Sequence, residues 1–254
     1  MPRIDTAAGE LFYTIKRGPT DGPTMLLVHG AGGSRLHWPP ELRRMAGVTV
    51  YTLDLPGHGQ SPGSGCDTIE RYADAVVAFV KESGIDDATI VGHSMGGAIA
   101  QRLALEHVPW ISALGLIATG ACLRVAPAIL ESIRDDFDHA VGLVTRYAWG
   151  PEASVSLMEL GREALMDTGP DVLLGDFLAC DSFDVMDRLG EIEIPVLVVS
   201  GTADALTPVK YACFLAEHIA DSRLVTVEGA GHMVMLERPR EVGEAVREFL
   251  TMDR

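Results

Sequence analysis

The chain has 254 residues, of which 47% are hydrophobic and 22% charged, and its formal net charge is −16 at pH 7. This length and apolar content suit a single α/β domain with a sizeable core. A net negative charge repels polyanions at long range, which argues against nucleic acid as a partner.

The cysteines and the hydropathy pattern both argue against a secreted, zinc-binding or membrane protein. Cysteines at positions 66, 122, 180 and 213 form no C-x-x-C pair and have no histidine at metal-ligand spacing. The first residues lack an apolar signal segment, and no later run approaches the roughly 18 apolar residues that span a bilayer. We therefore expect a cytoplasmic protein without a membrane partner. The sequence leaves the oligomeric state open.

The predicted elements alternate between short β-rich runs and longer helical segments, which is typical of a mostly parallel sheet covered by helices. An early hairpin is predicted over 10–16, followed by strands at 25–28, 48–53, 88–91, 111–119, 195–200 and 223–227. The spacing of apolar residues predicts helices over 70–83, 94–106 and 239–250. The strands at 25–28, 48–53 and 88–91 are followed by His, Asp or Gly, and ligands of open α/β sheets bind at such carboxyl ends.

Residues 122–189 contain several helical segments and no strand of comparable strength. The helices are predicted at 126–138, 139–149, 153–166 and 171–180, with Gly-Pro pairs at 150–151 and 169–170. We interpret 122–189 as a cap inserted after the sixth strand, too short to fold independently, over a core of 1–121 and 190–254. Its large apolar side chains either line an acyl or alcohol site or pack the cap helices together: Phe137, Met158, Met166, Leu173, Leu174 and Phe177.

The sequence Gly92-His93-Ser94-Met95-Gly96 carries the clearest chemical signal. A G-x-S-x-G match alone is weak in a glycine-rich chain. Here a strand-like run enters the motif and a small-residue helical stretch leaves it, which is the context that the motif requires. A serine on such a sharp turn presents its hydroxyl in the open, where a neighbouring base can activate it. Ser94 is therefore the predicted nucleophile.

Further motifs make the chain similar to the α/β-hydrolase family, specifically its small capped serine hydrolases, over about residues 9–249. They are His29-Gly30-Ala31-Gly32-Gly33, Asp54-Leu55-Pro56-Gly57-His58-Gly59-Gln60-Ser61, Gly201-Thr202-Ala203-Asp204 and Gly229-Ala230-Gly231-His232. The family order of nucleophile, acid and histidine is matched by Ser94, Asp204 and His232. The resemblance thus implies an α/β-hydrolase fold with a catalytic triad and with neither a metal nor an organic cofactor.

His232 and Asp204 also have support from their positions. His232 follows the last predicted strand in a glycine-flanked loop, so it is the expected general base. Asp204 follows the strand at 195–200, where its carboxylate would orient the imidazole and stabilise the imidazolium. Other aspartates fall in the cap, and we expect them on solvated surface or at helix caps: Asp176, Asp181, Asp184 and Asp187.

The resemblance implies that the backbone N–H groups of Ala31 and Met95 form the oxyanion hole, with Gly32 as a substitute for Ala31. The glycines around Ala31 let this loop approach the substrate closely. A phosphate-binding turn is disfavoured at 29–33, because neither a G-x-G-x-x-G nor a G-K-[ST] spacing is present.

Four residues near these motifs are candidates for substrate binding: His29, Gly30, Gly32 and His93. His93 precedes the nucleophile, so its side chain should turn back toward the protein in a packing or pocket role. His29 and His58 flank glycine loops, where structural hydrogen bonds are expected in preference to acid-base chemistry.

These residues predict a serine hydrolase that cleaves a small carboxylic ester through an acyl-enzyme, that is, a carboxylesterase acting on a small molecule. A serine at position 94 argues against dehalogenases and epoxide hydrolases, which use a carboxylate nucleophile. Two alternatives stay open. One is a carbon-carbon bond hydrolase of the meta-cleavage type, although Gly32-Gly33-Ser34 lacks the proline common in such loops. The other is a ligand sensor that keeps the triad but hydrolyses slowly.

Overall fold

A central sheet of eight strands organises the protein, whose computed structural model describes residues 2–252. The strands are β1 (Arg3–Thr6), β2 (Gly9–Lys16), β3 (Thr24–Val28), β4 (Thr49–Leu53), β5 (Ala88–His93), β6 (Ile111–Ile117), β7 (Val196–Gly201) and β8 (Ser222–Val227). Their order in the sheet is β1-β2-β4-β3-β5-β6-β7-β8. β1 pairs antiparallel with β2 and β2 with β4, whereas the pairs from β4 onward are all parallel.

Helices cover the sheet and join its parallel strands. They are α1 (Pro40–Arg43), α2 (Ile69–Ser83), α3 (Met95–Leu105), α4 (Pro127–Asp135), α5 (Phe137–Ala148), α6 (Val155–Thr168), α7 (Pro170–Ser182), α8 (Val209–His218), α9 (Val234–Glu237) and α10 (Pro239–Thr251), with short 3-10 helices at Arg35–His37 and Met186–Glu191. Within residues 2–252, none of these helices is both long enough and apolar enough to cross a bilayer.

The central strands are apolar on both faces because helices pack on both sides of the sheet. Every residue of β5 and of β7 is buried, as expected for parallel strands covered on two sides. Helix α2 starts after Thr68, whose hydroxyl accepts from Arg71 N, and ends at Gly84 in the left-handed conformation (φ 69°). The predicted parallel α/β sheet is confirmed.

The cap predicted after the sixth strand consists of α4 to α7, which lie between β6 and β7. These helices share an apolar cluster of their own, formed by Ile133, Ala140, Val141, Val144, Leu165 and Leu173. An isolated antiparallel bridge between Cys122 and Asp184 joins the two ends of the insertion. The cap is thus anchored at its base and packed around its own small core.

Two predicted elements differ from the structure, and residues 1 and 253–254 of the predicted core lie outside the described residues. The hairpin over 10–16 is wrong in extent, because those residues form the single strand β2, which pairs with β1. β1 is short and half polar, so it gave no periodic signal. The two helices predicted at 126–138 and 139–149 are α4 and α5, but the boundary between them lies at Asp136, which leaves the helical conformation and whose carboxylate accepts a hydrogen bond from His139 N.

Candidate active site

Ser94 occupies the sharp turn between β5 and α3. Its backbone has φ 51° and ψ −116°, a conformation that is rare and strained for a residue with a side chain. The turn is held by Ser94 N–H, which donates to Ile117 O at 2.9 Å, and by the Thr119 hydroxyl, which donates to Ser94 O at 2.8 Å. Ser94 lines a cavity between the sheet edge and helices α4 to α7. The fold therefore holds this serine at the cavity wall in an unfavourable backbone conformation.

The glycines on either side of Ser94 are required by close backbone packing. A Cβ atom on Gly92 would lie 2.1 Å from the carbonyl oxygen of Gly96, and a Cβ atom on Gly96 would lie 2.1 Å from that of Val28. Both distances are far inside van der Waals contact. The turn can therefore be built only with glycine at these two positions, in agreement with the motif.

Asp204 follows β7, and both oxygens of its carboxylate accept hydrogen bonds from the surrounding loop. Its Oδ1 accepts from the backbone N–H groups of Leu206 and Thr207, both at 2.8 Å, and its Oδ2 accepts from the Thr207 hydroxyl at 2.8 Å. Burial alone would raise the pKa of Asp204, but the charge of His232 and hydrogen bonds from His232 and Thr207 bring this pKa below its ordinary value. The side chain is thus a carboxylate at neutral pH.

His232 follows β8 and is paired with Asp204. Its Nδ1 lies 2.9 Å from Asp204 Oδ2 and 3.2 Å from Thr207 Oγ1. An ionised carboxylate accepts only, so Nδ1 carries the proton and Nε2 is left as the basic nitrogen. His232 and Ser94 line the same cavity, although no hydrogen bond joins their side chains within residues 2–252. The structure thus brings all three residues of the predicted triad to the carboxyl edge of the sheet.

His93 supports the loop that carries His232. It is 3% exposed, and its Nε2 donates to the carbonyl oxygen of His232 at 3.0 Å. Burial and the neighbouring His232 lower the pKa of His93 well below its ordinary value, so it is neutral. The ring also lines the cavity. Its position therefore combines the packing and pocket roles predicted from its place beside the nucleophile.

The two amides predicted for the oxyanion hole lie at the ends of neighbouring strands. Ala31 follows β3 and lines the cavity, and Met95 is the first residue of α3. Among residues 2–252, neither the Ala31 nor the Met95 N–H donates to a protein acceptor. The N–H of Gly32 instead donates to Asp176 Oδ2 at 2.7 Å. The suggestion that Gly32 substitutes for Ala31 is therefore wrong, because its donor is already used.

Three residues predicted to bind substrate do not line this cavity: His29, Gly30 and Gly32. His29 is fully buried, with Nδ1 donating to Gly30 O at 2.8 Å and Nε2 accepting from Leu55 N at 3.1 Å. Gly30 lies behind the nucleophile, since a Cβ atom there would be 3.1 Å from the Cβ of Ser94. Gly32 packs against two leucines of the cap, Leu165 and Leu173. These residues shape the loop, and their direct contact with substrate stays a prediction.

The cavity has a volume of about 310 Å³ and lies between the sheet edge and the cap. Its wall is mainly apolar and includes Leu123, Val125, Ile129, Val144, Ala148, Trp149, Leu165, Phe177, Leu206 and Met233. Of the six cap side chains considered from the sequence, Phe177 lines the cavity, whereas Phe137, Met166, Leu173 and Leu174 belong to the cap cluster and Met158 packs against the core. An apolar cavity of this size fits a small acyl or alcohol group.

Sequence reasoning missed several polar residues of the cavity wall. His37 and Thr145 each present a buried side-chain atom without a hydrogen-bond partner in the described chain, His37 Nε2 and Thr145 Oγ1. Burial lowers the pKa of His37 to about 4, so this imidazole is neutral. Neither residue belongs to a motif, and only the folded cap and loop bring them to the cavity.

The cap aspartates do not all lie at the surface. Asp184 and Asp187 are exposed and Asp181 is partly exposed, as predicted, but Asp176 is fully buried. Its carboxylate accepts from Gly32 N, from His58 Nε2 at 2.8 Å and from the Tyr72 hydroxyl. The surface interpretation of Asp176 is therefore wrong, because three donors from the core surround it. His58 makes the structural hydrogen bond expected for it.

Comparisons with known proteins give the family. The sequence model described as the alpha/beta hydrolase family matches residues 25–245. A pimeloyl-[acyl-carrier protein] methyl ester esterase of Neisseria meningitidis serogroup C is 30% identical over 88% of this chain and 92% of its own. A thermophilic esterase structure is 36% identical, with a TM-score of 0.85 over 98% of this chain and 96% of its own. The enol-lactonase of Burkholderia xenovorans LB400 is 26% identical, with a TM-score of 0.90 over 99% and 100%.

The fold and the comparisons define an α/β hydrolase with Ser94 at the sharp turn between β5 and α3. The chain belongs to the α/β-hydrolase family, as its motifs predicted. The esterases among its relatives support a carboxylic ester hydrolase that acts on a small molecule.

Proposed function

We propose that the protein hydrolyses small carboxylic esters through a serine-bound acyl-enzyme. One observation carries the proposal. Ser94 is held in a strained turn at the wall of an apolar cavity, and the buried Asp204–His232 pair opens onto the same cavity. In this arrangement Ser94 is the nucleophile, His232 the general base and Asp204 the carboxylate that orients His232. General-base activation of a serine needs a neutral imidazole with a free nitrogen near the hydroxyl.

In the first half-reaction, Ser94 Oγ attacks the ester carbonyl carbon while His232 Nε2 takes the hydroxyl proton. The carbonyl oxygen becomes an oxyanion, which the N–H groups of Ala31 and Met95 stabilise. His232 then returns the proton to the alkoxide, and the alcohol leaves as the carbon-oxygen bond breaks. The acyl group stays on Ser94 as a new ester.

In the second half-reaction, His232 takes a proton from water, which attacks the acyl carbon. The second tetrahedral intermediate collapses, Ser94 Oγ recovers the proton from His232, and the carboxylic acid is released. Asp204 keeps the proton of His232 on Nδ1 in both halves and stabilises the imidazolium formed transiently.

The cavity supports a small, largely apolar substrate. Its wall is built from aliphatic and aromatic side chains, and its volume of about 310 Å³ lies at the lower end of the range for ligand pockets. Each methylene that fits the pocket changes discrimination by about 1–3 kcal/mol. We therefore expect acetyl to butyryl esters to be cleaved better than octanoyl or longer esters.

The experiment combines turnover with labelling. Hydrolysis of p-nitrophenyl acetate, butyrate and octanoate is measured for the wild type, Ser94→Ala and Ser83→Ala, and a fluorophosphonate is located by mass spectrometry. The Ser83 hydroxyl only donates to Val80 O on α2, so Ser83→Ala is a matched control. Sustained turnover with label on Ser94, lost only in Ser94→Ala, supports the proposal. Labelling without turnover would favour a sensor, and the absence of label would contradict the role of Ser94.

A further inference from the structure

Asp176 connects the cap directly to the loop that carries Ala31. It lies on α7, is fully buried, and its Oδ2 accepts the N–H of Gly32 at 2.7 Å. Gly32 is the residue after Ala31, so the bond fixes the Ala31–Gly32 peptide group, which is adjacent to the Gly30–Ala31 peptide group that carries the Ala31 N–H. Because a carboxylate accepts stronger hydrogen bonds than a neutral group, this contact holds the loop firmly.

A second cap residue holds the other side of the same glycine. The hydroxyl of Thr168, the last residue of α6, lies 3.0 Å from the carbonyl oxygen of Gly32 and 3.0 Å from that of Ala164, so its one proton is shared between these two acceptors. Both polar backbone groups of Gly32 therefore lie within hydrogen-bond distance of a cap side chain. The backbone of Gly32 has φ +61°, and a Cβ atom there would lie 2.4 Å from Leu165 Cδ2 and 2.8 Å from Leu173 Cδ1. Glycine is thus needed for both the conformation and the contact.

The core holds Asp176 in turn. His58 Nε2 lies 2.8 Å from its Oδ2, and the Tyr72 hydroxyl donates to its Oδ1. The Tyr72 oxygen accepts from Cys66 N at 2.9 Å, and His58 Nδ1 donates to Pro56 O at 3.0 Å. Both side-chain donors to the carboxylate are therefore held by the backbone of the core.

We propose that Asp176 and Thr168 are positioning residues that clamp Gly32, so that seating of the cap on the core sets the Ala31 amide for catalysis. The proposal rests on the proposed function, in which that amide binds the oxyanion. The clamp couples the cap, which shapes the cavity, to the donors that stabilise the transition state. A displacement of about 1 Å at a catalytic group can cost as much as 100-fold in rate.

The first test separates transition-state stabilisation from substrate binding. For Asp176→Asn and Thr168→Val, we expect kcat for p-nitrophenyl butyrate to fall about 10- to 100-fold while KM changes by less than about threefold. The affinity for an alkylboronic acid, which forms a tetrahedral adduct on the serine, should fall by a similar factor. The affinity for butyramide, which keeps a planar carbonyl, should not change. Asp171→Asn is the matched control, because Asp171 is exposed on the same helix.

The second test does not depend on activity. Hydrogen exchange of the peptide that spans residues 28–36 should be faster in both variants than in the wild type and in Asp171→Asn. Thr168 is only half-buried and valine keeps its shape, so Thr168→Val decides the matter if Asp176→Asn does not fold.

The outcomes distinguish a failure of the proposed ester hydrolysis from a failure of the clamp on Gly32. A wild type that neither hydrolyses esters nor reacts with a fluorophosphonate would refute the proposed function, whereas exchange at 28–36 would still report on the clamp. An active wild type whose two variants keep kcat and boronic-acid affinity would overturn the inference alone. Lower thermal stability with unchanged kcat would equally overturn it, since Asp176 would then serve the fold only.

Discussion

Within the part of the chain that the structure describes, two buried aspartate–histidine pairs lie at the carboxyl edge of the sheet, and they differ in whether the histidine has a nitrogen free for proton transfer. In one, His232 Nδ1 lies 2.9 Å from Asp204, and the ring opens onto the cavity. In the other, His58 Nε2 lies 2.8 Å from Asp176, and both side chains are fully buried. The other nitrogen of His58 donates to Pro56 O, so this ring has no nitrogen left for a substrate.

The comparison shows that an aspartate partner does not by itself make a histidine a general base. Both pairs have similar distances and both are removed from bulk solvent. What distinguishes them is that His232 has a free nitrogen at a cavity that Ser94 also lines. The first pair is therefore suited to proton transfer, and the second to holding the cap and the loop at 29–33 together.

The largest expected difference concerns the two histidines. His232→Gln should lower kcat by about 10⁴-fold or more, because no other group then takes the serine proton. His58→Gln should lower kcat far less, since His58 touches no reacting atom. Steady-state hydrolysis of p-nitrophenyl butyrate measures both. Equal losses would show that the two pairs are not functionally distinct.

Replacing the carboxylate of the first pair should have the next largest effect. Asp204→Asn should lower kcat by about 10² to 10⁴-fold, because the amide favours the wrong imidazole tautomer. Steady-state hydrolysis of p-nitrophenyl butyrate measures the loss. A fully active Asp204→Asn enzyme would remove Asp204 from the mechanism.

The free energy of unfolding should depend strongly on the buried carboxylate of the second pair. Asp176→Ala leaves buried His58, Tyr72 and Gly32 N–H without their acceptor, so we expect a loss of about 3–5 kcal/mol in the free energy of unfolding. Asp187→Ala, at an exposed cap position, should cost less than about 0.5 kcal/mol. Urea unfolding gives both values. A small loss for Asp176→Ala would mean that the clamp adds little to the fold.

The buried pair of His58 and Asp176 should also make the free energy of unfolding depend on pH. Burial alone would lower the pKa of His58, but the Asp176 carboxylate outweighs burial and raises it. A raised pKa in the folded state gives a stabilisation that is present below about pH 6.5 and is lost as the pH rises through the folded pKa. The groups that face His58 are His29, Tyr72, Asp54 and Asp176.

The measurement is the free energy of unfolding of the wild type minus that of His58→Gln between pH 6 and pH 9. The difference should fall with pH by at most about 1.4 kcal/mol per unit. The subtraction is needed because His29 and His93, whose pKa values are lowered by burial, add an opposite slope below pH 6.5. A flat difference would show that His58 does not gain a proton on folding.

The smallest expected effect concerns Thr207, which sequence reasoning did not single out. Its hydroxyl donates to Asp204 Oδ2 and lies 3.2 Å from His232 Nδ1. Thr207→Val keeps the shape and removes one hydrogen bond to the carboxylate, so we expect kcat to fall about 3- to 30-fold with KM unchanged. Thr202→Val, which alters the hydrogen bond to Gly229 N in the adjacent loop, is the control. A larger loss in the control would place the effect in loop structure.

The predictable parts of the molecule were those encoded by local sequence. β3, β5, β6 and β7 are largely apolar, buried runs, and the serine motif requires glycine at positions where a Cβ atom cannot fit. Ser94, Asp204 and His232 each follow a predicted strand, so their common edge was predictable. β1 was not, because a strand of four residues with one apolar side chain, Ile4, is too short to show a hydrophobic period.

Long-range contacts account for what was missed. Asp176 lies 144 positions from Gly32 and 118 from His58, and only the docking of the cap reveals that it is buried. His37 and Thr145 reach the cavity for the same reason. Local pattern distinguishes a strand from a helix, but it does not tell which polar cap residue faces the core.

The central claim is that Ser94 carries the acyl group while the pair Asp204–His232 moves the proton. It is tested most directly by rapid mixing of excess p-nitrophenyl butyrate with the wild type, followed by acid quench and mass spectrometry. We expect a burst of p-nitrophenol of up to one equivalent per enzyme before steady turnover. We also expect one butyryl group on the peptide that contains Ser94. A butyryl group on another residue, or turnover that persists unchanged in Ser94→Ala, would contradict it.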